Sequence, residues 1–303
     1  MSGSGPIAGF GFSTSGGSPD LSTLPDVLAR IRATGASHAE LSLHAWDLIS
    51  GGRLILERVA KLEGICGEAG LAYTAHGLMG VNVMLERDAA VHEQVMRATL
   101  EIARIVGATT LVHHTGIVPS APAGELEHMH ARERQALRKM ADVAGRDGIT
   151  IAVETLFVDN DTLYTADPFR LADEIEAIGH PHLAGTLDFS HSYLTCTQRG
   201  LDFRAAVRRF GALAAHLHVH DSFGLFRDMR GYGRAEDIAF GRGDLHLPIG
   251  WGDIPFETLV PELAPRPGTV WMFELPPRYW DLMDAQADLA RRLIPLVGTR
   301  VGG

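Results

Sequence analysis

Three histidines alternate with apolar residues in the stretch AHLHVHDS, positions 215–222. Side chains two positions apart on a β-strand share a face, so His216, His218 and His220 would all point the same way. Neutral imidazole is a common metal ligand. Same-face neighbours lie about 6.6 Å apart and a metal–nitrogen bond measures about 2.1 Å, so one cation normally contacts one of the three. The alternative is a solvated edge strand or a hydrogen-bonded core cluster.

Other side chains of the metal-ligating types stand where apolar runs of the sequence end. A lone carboxylate there, such as Glu154, could simply cap a helix or form a salt bridge. A ring of inward carboxylates and imidazoles is different, because without a cation it would carry repulsion and desolvation costs of several kcal/mol. We therefore predict a bound divalent metal. Including the histidine row, such residues occur at six of eight expected strand ends, and the others are His76, His113, His114, Glu154, Asp188, His191 and Glu274.

A Gly- and Pro-rich segment, GRGDLHLPIGWGDIPF at 241–256, adds two more residues of this kind. Asp244 and His246 are spaced to hold a second metal or to support the ligands of the first. The segment could equally be an ordinary surface loop. It belongs to the longest irregular piece of the chain, roughly 222–254, and long loops inside a domain are usually functional.

The elements that must position these residues are read from hydrophobic periodicity. Amphipathic patterns at 22–34, 53–70, 88–107 and 125–148 predict helices, and Gly70, Gly107 and Gly148 follow three of them as helix-ending residues. Short apolar runs alternate with these patterns and predict eight strands, at 7–13, 38–44, 71–77, 109–115, 149–156, 182–190, 213–221 and 269–276.

Eight alternating units in 303 residues predict an α/β fold, a closed (β/α)8 TIM barrel, rather than an open doubly wound sheet. We find no linker or shift in composition, so residues 1–303 are predicted to form a single domain. In such a barrel the functional groups collect at the C-terminal strand ends. We expect His216, deeper in the barrel, to be packed or hydrogen-bonded, and His220, nearer the mouth, to face substrate.

The bulk composition restricts the class of protein. Lys and Arg number 27 against 37 Asp and Glu, a net charge of −10 that disfavours nucleic acid as a partner. No apolar run has the length of a membrane span. The N-terminal residues MSGSGPIAGFGF lack the pattern of a secretion signal, and the two cysteines, Cys66 and Cys196, suggest no disulfide framework. We expect a cytoplasmic protein.

Five motifs together resemble the xylose-isomerase-like TIM-barrel superfamily, which includes sugar isomerases and epimerases, inosose dehydratases and apurinic endonuclease IV. The motifs are AVET, TLDFSH, HLHVHDS, GDLHLPIGWGDIPF and FELPP. In epimerase-like members one divalent cation is held by a Glu, an Asp, a His and a Glu from strands five to eight. The resemblance implies that Glu154, Asp188, His218 and Glu274 are these ligands, and it is the reason for preferring His218 to His216.

The same motifs also resemble the endonuclease-like members, in which a three-zinc cluster uses further residues. The corresponding positions are His76, His114, His191, Asp244 and His246. Charge argues against a nuclease, because the loops at 77–88 and 155–164 carry few cations to neutralise phosphates. One departure concerns the epimerases: an Arg expected about six residues after the strand-seven histidine is replaced by Gly224, and Arg227 comes later. That departure argues against a ketohexose epimerase.

The chemistry implied is proton transfer at a carbon beside a carbonyl. A metal that chelates the carbonyl and adjacent hydroxyl would stabilise the resulting enediolate, and Glu154 and Glu274 would act as base and acid. Isomerisation, epimerisation or dehydration would follow from the same first step. Three carboxylates and one imidazole favour Mn²⁺, with Mg²⁺, Co²⁺ and Zn²⁺ as alternatives.

The expected partner is a small sugar or polyol, and the chain could also form a homo-oligomer or a hetero-oligomer. His114, His191 and His220 are candidates to orient substrate hydroxyls. Two other functions stay open: a multi-zinc phosphoesterase, and a sugar-binding or partner subunit without chemistry. Four aromatic residues could pack against a sugar ring or could simply be core, namely Trp46, Phe157, Trp251 and Trp280.

Overall fold

The computed structural model describes residues 5–226 and 233–300. Eight parallel strands form a closed barrel, in which each strand pairs with the strands before and after it in the chain and the first pairs with the last. All eight strands expected from the sequence are confirmed. The barrel strands, called strands one to eight below, are Ile7–Ser13, His38–Ser42, Ala72–His76, Ala108–His114, Thr150–Glu154, Leu183–Asp188, Ala214–Val219 and Thr269–Phe273.

Helices surround the barrel. The four expected helices are confirmed as α1 to α4, with ends within three residues of those predicted. Gly70 is the left-handed C-cap of α2 at φ 68°, and Gly107 and Gly148 take φ of 72° and 71° after α3 and α4. The α-helices of the described residues are Leu24–Ala33 (α1), Leu56–Ala69 (α2), Ala89–Ile105 (α3), Ala123–Gly145 (α4), Pro168–Ile178 (α5), Phe189–Arg199 (α6), Phe203–Gly211 (α7), Arg234–Phe240 (α8), Phe256–Leu259 (α9) and Met283–Leu293 (α10).

The remaining regular elements are short. One two-stranded antiparallel sheet pairs Ile49–Ser50 with Arg53–Leu54, and another pairs Val118–Pro119 with Leu163–Tyr164. The second sheet joins the loops that follow strands four and five. Short 3-10 helices lie at Leu43–Ala45, Val260–Glu262, Pro277–Leu282 and Ile294–Leu296.

Alternation along strand seven sends its apolar side chains outward and its histidines inward. On strand seven, Leu217 and Val219 belong to the apolar core between barrel and helices. The intervening His216 and His218 instead contact Glu40 of strand two across the barrel. The inward face of strand seven is therefore polar, although Val270 and Met272 of strand eight lie beside these histidines, and the main apolar core lies between barrel and helices.

Three details differ from the sequence-based expectations. The region 222–254 is not wholly irregular, because it contains α8 and an antiparallel bridge between Asp221 and Leu247. Strand six stops at Asp188, whose side chain accepts the His191 N–H and so starts α6 at once. Glu274 follows strand eight instead of lying within it. Arg227 lies outside the described residues, and none of the described helices is long and apolar enough to cross a membrane.

Candidate active site

Four side chains from the last four strands converge at the C-terminal end of the barrel. Glu154 ends strand five, Asp188 ends strand six, His218 is next to last in strand seven, and Glu274 follows strand eight. One donor atom from each lies within 4.8 Å of those of the other three. His218 Nδ1 is 3.1 Å from Glu154 Oε1, 3.4 Å from Glu274 Oε2 and 3.8 Å from Asp188 Oδ2. These four residues are called the central cluster below.

The donor set of the central cluster fits a divalent cation. Three carboxylates and one imidazole suit the harder divalent metals. Three of the four side chains are fully buried, and that of Glu274 is 13% exposed. Glu154 Oε2 is buried and accepts no hydrogen bond from any described residue. Its nearest polar neighbours are the Nε2 atoms of His76 and His114 at 3.4 Å and 3.3 Å, and a cation bound to Glu154 would stabilise this buried carboxylate further.

Glu40 holds the far side of His218, and the sequence analysis missed it. Its Oε2 accepts hydrogen bonds from His218 Nε2 at 3.1 Å and His216 Nε2 at 2.8 Å. A hydrogen on His218 Nε2 leaves Nδ1 to face the central cluster, which is how a carboxylate commonly orients a ligating imidazole. One feature of the sequence could have indicated Glu40. It is a carboxylate in the middle of a short strand, between two apolar residues that share the opposite face.

Buried carboxylates and imidazoles shift one another's pKa at this end of the barrel. Burial alone would raise the pKa of Glu154, but His218 and His114 outweigh it and hold the pKa well below its usual value. Burial alone would lower the pKa of His218, but Glu274, Glu40 and Glu154 outweigh it and raise the pKa well above its usual value. Glu154 is therefore ionised at neutral pH and able to accept a proton.

A second group of ligand atoms adjoins Glu154. His76 Nε2 and His114 Nε2 lie 3.4 Å and 3.3 Å from Glu154 Oε2. The two rings are perpendicular, with centroids 5.0 Å apart. These two histidines end strands three and four. Because they approach Oε2 of Glu154 while His218 approaches Oε1, Glu154 is shared between this pair and the central cluster.

A third group forms around Asp244. His246 Nε2 is 2.6 Å and His191 Nε2 3.5 Å from Asp244 Oδ2, and His220 Nδ1 is 4.0 Å from Oδ1. Burial alone would raise the pKa of Asp244, but His246 and His191 outweigh it and hold the pKa well below its usual value. His220 also bonds Asp188 of the central cluster through Nε2 at 2.9 Å. All nine positions of the two resemblances are thus gathered in three adjoining groups.

Asp221 positions the loop that carries Asp244 and His246. Its carboxylate accepts backbone N–H bonds from Ser222 at 2.9 Å, Gly250 at 2.9 Å, Gly252 at 3.0 Å and Ile254 at 3.1 Å. A Cβ at position 252 would lie 2.4 Å from Asp221 Oδ1, so the loop approaches closely only because that residue is glycine. This carboxylate therefore adds to the backbone bridge between Asp221 and Leu247 in fixing the loop.

A cavity of about 530 Å³ opens above the three groups. Both catalytic candidates, Glu154 and Glu274, line this cavity, which extends outward to Arg234 of α8. Its lining comprises Ser13, Ser15, Ser42, His44, His76, Met79, His114, Ile117, Glu154, Leu156, Phe157, Val158, Asp159, Asn160, Leu163, His191, Arg234, Asp244, His246, Glu274 and Pro276.

A sequence model of the family described as xylose isomerase-like TIM barrel matches residues 28–294. The chain belongs to this family. The match covers the barrel from α1 to α10, so it includes seven of the eight strands and the central cluster. A search among curated proteins finds no significant match.

Solved structures share the barrel of this family at low sequence identity. A D-tagatose 3-epimerase-like protein is 17% identical at a TM-score of 0.69, covering 95% of this chain and 98% of its own. A 3-keto-D-glucoside 4-epimerase, YcjR from E. coli, is 17% identical at a TM-score of 0.64, and the match covers 96% of this chain and 100% of that one. IOLI protein with a bound zinc atom is 14% identical at a TM-score of 0.62, and the match covers 93% of this chain and 95% of that one. At such identities the likeness concerns the fold.

The structure separates the substrate candidates of this family member. His114 and His191 line the cavity, as expected of residues that orient a substrate. His220 has no exposed surface, because its ring stacks on His246 at 3.9 Å and its Nε2 bonds Asp188. Trp46 is 6% exposed and packs in the main apolar core. Neither His220 nor Trp46 lines the cavity.

The other aromatic candidates differ in whether they line the cavity. Phe157 lines the cavity with its ring 5.2 Å from that of His191. Trp251 is 53% exposed and meets Tyr279 edge-on, and Trp280 donates its Nε1–H to Leu275 O. His113 is buried at the last but one position of strand four. Of the four aromatic candidates, Phe157 is the one that lines the cavity.

Proposed function

We propose that the protein is a divalent-metal-dependent isomerase or epimerase that acts on a sugar, keto-sugar or cyclic polyol. The reaction moves a proton at a carbon next to a carbonyl. The observation that carries the proposal is the position of Glu154 and Glu274, which both line the cavity and both approach His218 Nδ1 within 3.4 Å. Two carboxylates that flank one cation site are the arrangement needed to take a proton and return one.

Glu154, Asp188, His218 and Glu274 would hold the metal, and we propose Mn²⁺ as the ion. When bound, the cation supplies Lewis acidity to the oxygens of a carbonyl and its neighbouring hydroxyl, which acidifies the carbon–hydrogen bond between them. Glu40 keeps His218 oriented, because it accepts the Nε2–H at 3.1 Å.

The remaining residues bind and move the proton. Glu154 is ionised and buried, so its carboxylate accepts the proton from the substrate carbon. Glu274 is slightly more open and returns a proton to the neighbouring carbon or to the opposite face. His114 and His191, at the cavity surface, donate or accept hydrogen bonds with substrate hydroxyls. Loss of a β-hydroxyl after the same first step would make the protein a lyase.

The test is metal analysis of the purified protein followed by proton exchange from D₂O into keto-sugars, inososes and 3-keto-glycosides. We expect about one equivalent of metal and deuterium at one carbon of a substrate. Glu154→Gln and Glu274→Gln should each lower the exchange rate at least about a hundredfold. Glu57→Gln, an exposed carboxylate on α2, is the matched control and should exchange normally. Unchanged exchange in Glu154→Gln would instead support a binding or partner subunit without chemistry.

A multi-zinc phosphoesterase is the second candidate, because the two histidine-rich groups adjoin the central cluster. It requires about three zinc ions per chain and cleavage of a duplex that contains an abasic site. One equivalent of metal, or no cleavage when zinc-loaded, excludes it. The net charge of −10 disfavours it, because binding a phosphate backbone needs several cations.

A further inference from the structure

One wall of the cavity is apolar. It is formed by six residues, called the apolar wall below: Met79, Ile117, Leu156, Phe157, Val158 and Leu163. They follow strands three, four and five, whereas the polar lining comes mainly from the loops after strands six, seven, eight, one and two. The cavity therefore has a reactive polar side and an apolar side.

The outer part of the apolar wall is open to solvent. Met79, Ile117 and Leu163 are 54%, 37% and 36% exposed. Large apolar side chains gathered at one rim of a cavity commonly mark a binding surface, whereas scattered ones need no explanation. The wall reaches from this rim to Leu156, which is nearly buried, so it extends from the mouth toward Glu154 two residues earlier in the chain.

Specific hydrogen bonds fix the apolar wall. Val118–Pro119 pairs with Leu163–Tyr164 and places Pro119 opposite Leu163, which ties the segment after Ile117 to the one that carries Leu163. Asn82 Nδ2 donates to Ile117 O at 2.7 Å and ties in the loop that carries Met79. On the inner side, Glu133 of α4 accepts the Gly116 N–H at 2.9 Å. The wall is thus a preorganised surface, which lowers the entropy cost of binding a ligand to it.

The cationic side chain at this cavity is already engaged. Among the described lining residues other than histidine, Arg234 carries the one positive charge. Its guanidinium donates to the carbonyl oxygens of Asp244 and Leu245. A phosphate or carboxylate on the substrate pairs best with a free guanidinium, and the guanidinium of Arg234 is occupied by these two carbonyl oxygens. Among the described lining residues, the apolar wall is therefore the surface best suited to an uncharged group.

We propose that the substrate is a keto-sugar glycoside whose aglycone is an uncharged alkyl or aryl group seated on the apolar wall. This inference rests on the proposed function, because it assigns the sugar part to the central cluster. The aglycone lies between Phe157 and the exposed side chains of Met79, Ile117 and Leu163, and it removes their apolar surface from water on binding.

The first experiment compares methyl, hexyl and phenyl glycosides of one 3-keto-hexose in the D₂O exchange assay with metal-loaded protein. We expect kcat/KM for exchange to be at least about tenfold higher for the hexyl or phenyl glycoside than for the methyl glycoside. Equal kcat/KM across the three overturns the inference and leaves the proposed function intact. No exchange with any keto-sugar overturns both.

The second experiment changes the wall. Ile117→Ser and Leu163→Ser should each lower the phenyl-to-methyl ratio of kcat/KM toward one, and Leu56→Ser is the matched control. Leu56 is 72% exposed on α2, outside the cavity, and should keep the native ratio. Circular dichroism and thermal unfolding verify that the variants fold. If the ratio survives both wall variants, or if the variants instead dissociate an oligomer seen by sedimentation, the assignment of the wall to an aglycone is wrong.

Discussion

Three histidines in and directly after strand seven have three different environments because of their depth in the barrel. His216 bonds Glu40, His218 lies between Glu40 and the central cluster, and His220 joins Asp188 to the group around Asp244. The spacing of about 6.6 Å between same-face residues explains the division. His216 and His218 share Glu40 Oε2, whereas His220 bonds Asp188.

Glu40 gives the first prediction at the residue scale. Glu40→Gln removes the negative charge of the carboxylate that accepts hydrogen bonds from His216 and His218. His218 is then less firmly oriented and less basic. We expect the metal dissociation constant, measured by calorimetric titration, to rise about 10- to 100-fold. Glu174→Gln is the matched control, because Glu174 is also a buried carboxylate but pairs with Arg134 and Arg170 away from the site. Native affinity in Glu40→Gln would reduce Glu40 to a packing role.

His113 gives a prediction about pH. Burial, with His114 and His76 nearby, lowers the pKa of His113 to about 3. His113 binds a proton near pH 6.5 in the unfolded chain but stays neutral in the folded protein until about pH 3. The free energy of unfolding therefore falls as the pH falls from about 6.5 toward 3. Between about pH 6 and 5, the metal-free native protein should lose about 1.4 kcal/mol per pH unit relative to His113→Gln, measured by urea unfolding. Parallel curves over that range would show that His113 is protonated in the fold.

At the scale of elements, close helix–strand contact depends on glycine in one place and not in another. A Cβ at Gly185 of strand six would lie 2.6 Å from Phe210 Cε1 of α7, whereas a Cβ at Gly67 inside α2 would meet nothing within 4 Å. Gly185→Ala should therefore lower the free energy of unfolding by about 1–3 kcal/mol. Gly67→Ala should raise it by up to about 1 kcal/mol, because alanine favours the helix. Denaturant unfolding of both variants tests the pair, and equal signs would contradict it.

For the whole molecule, periodicity and glycine positions predicted the barrel almost completely. All eight strands and the four helices α1 to α4 lie where the apolar patterns placed them, because local alternation reflects the apolar core outside the barrel. The convergence of Glu154, Asp188, His218 and Glu274 was also foreseen, since strand ends of one barrel meet at one end.

What the sequence left open depends on depth and on contacts distant in the chain. Glu40 lies in mid-strand, and its bonds to His216 and His218 span more than 170 positions, so no local pattern indicates them. The burial of His220 and Trp46 depends likewise on neighbours supplied by other strands and helices. Strand periodicity says which face a side chain occupies, whereas access to the cavity is decided by the loops above it.

Metal binding should stabilise the whole barrel, because the central cluster joins strands five to eight. A ligand that binds the folded state alone adds about 2.7 kcal/mol to the free energy of unfolding at a hundredfold excess over its dissociation constant. The chain contains 15 histidines, which would bind Zn²⁺ when unfolded, so Mn²⁺ is the better probe. Denaturant unfolding with Mn²⁺ and with chelator should show this gain in the native protein and in Glu57→Gln. The gain should largely vanish in Asp188→Asn, and its persistence there would place the cation outside the central cluster.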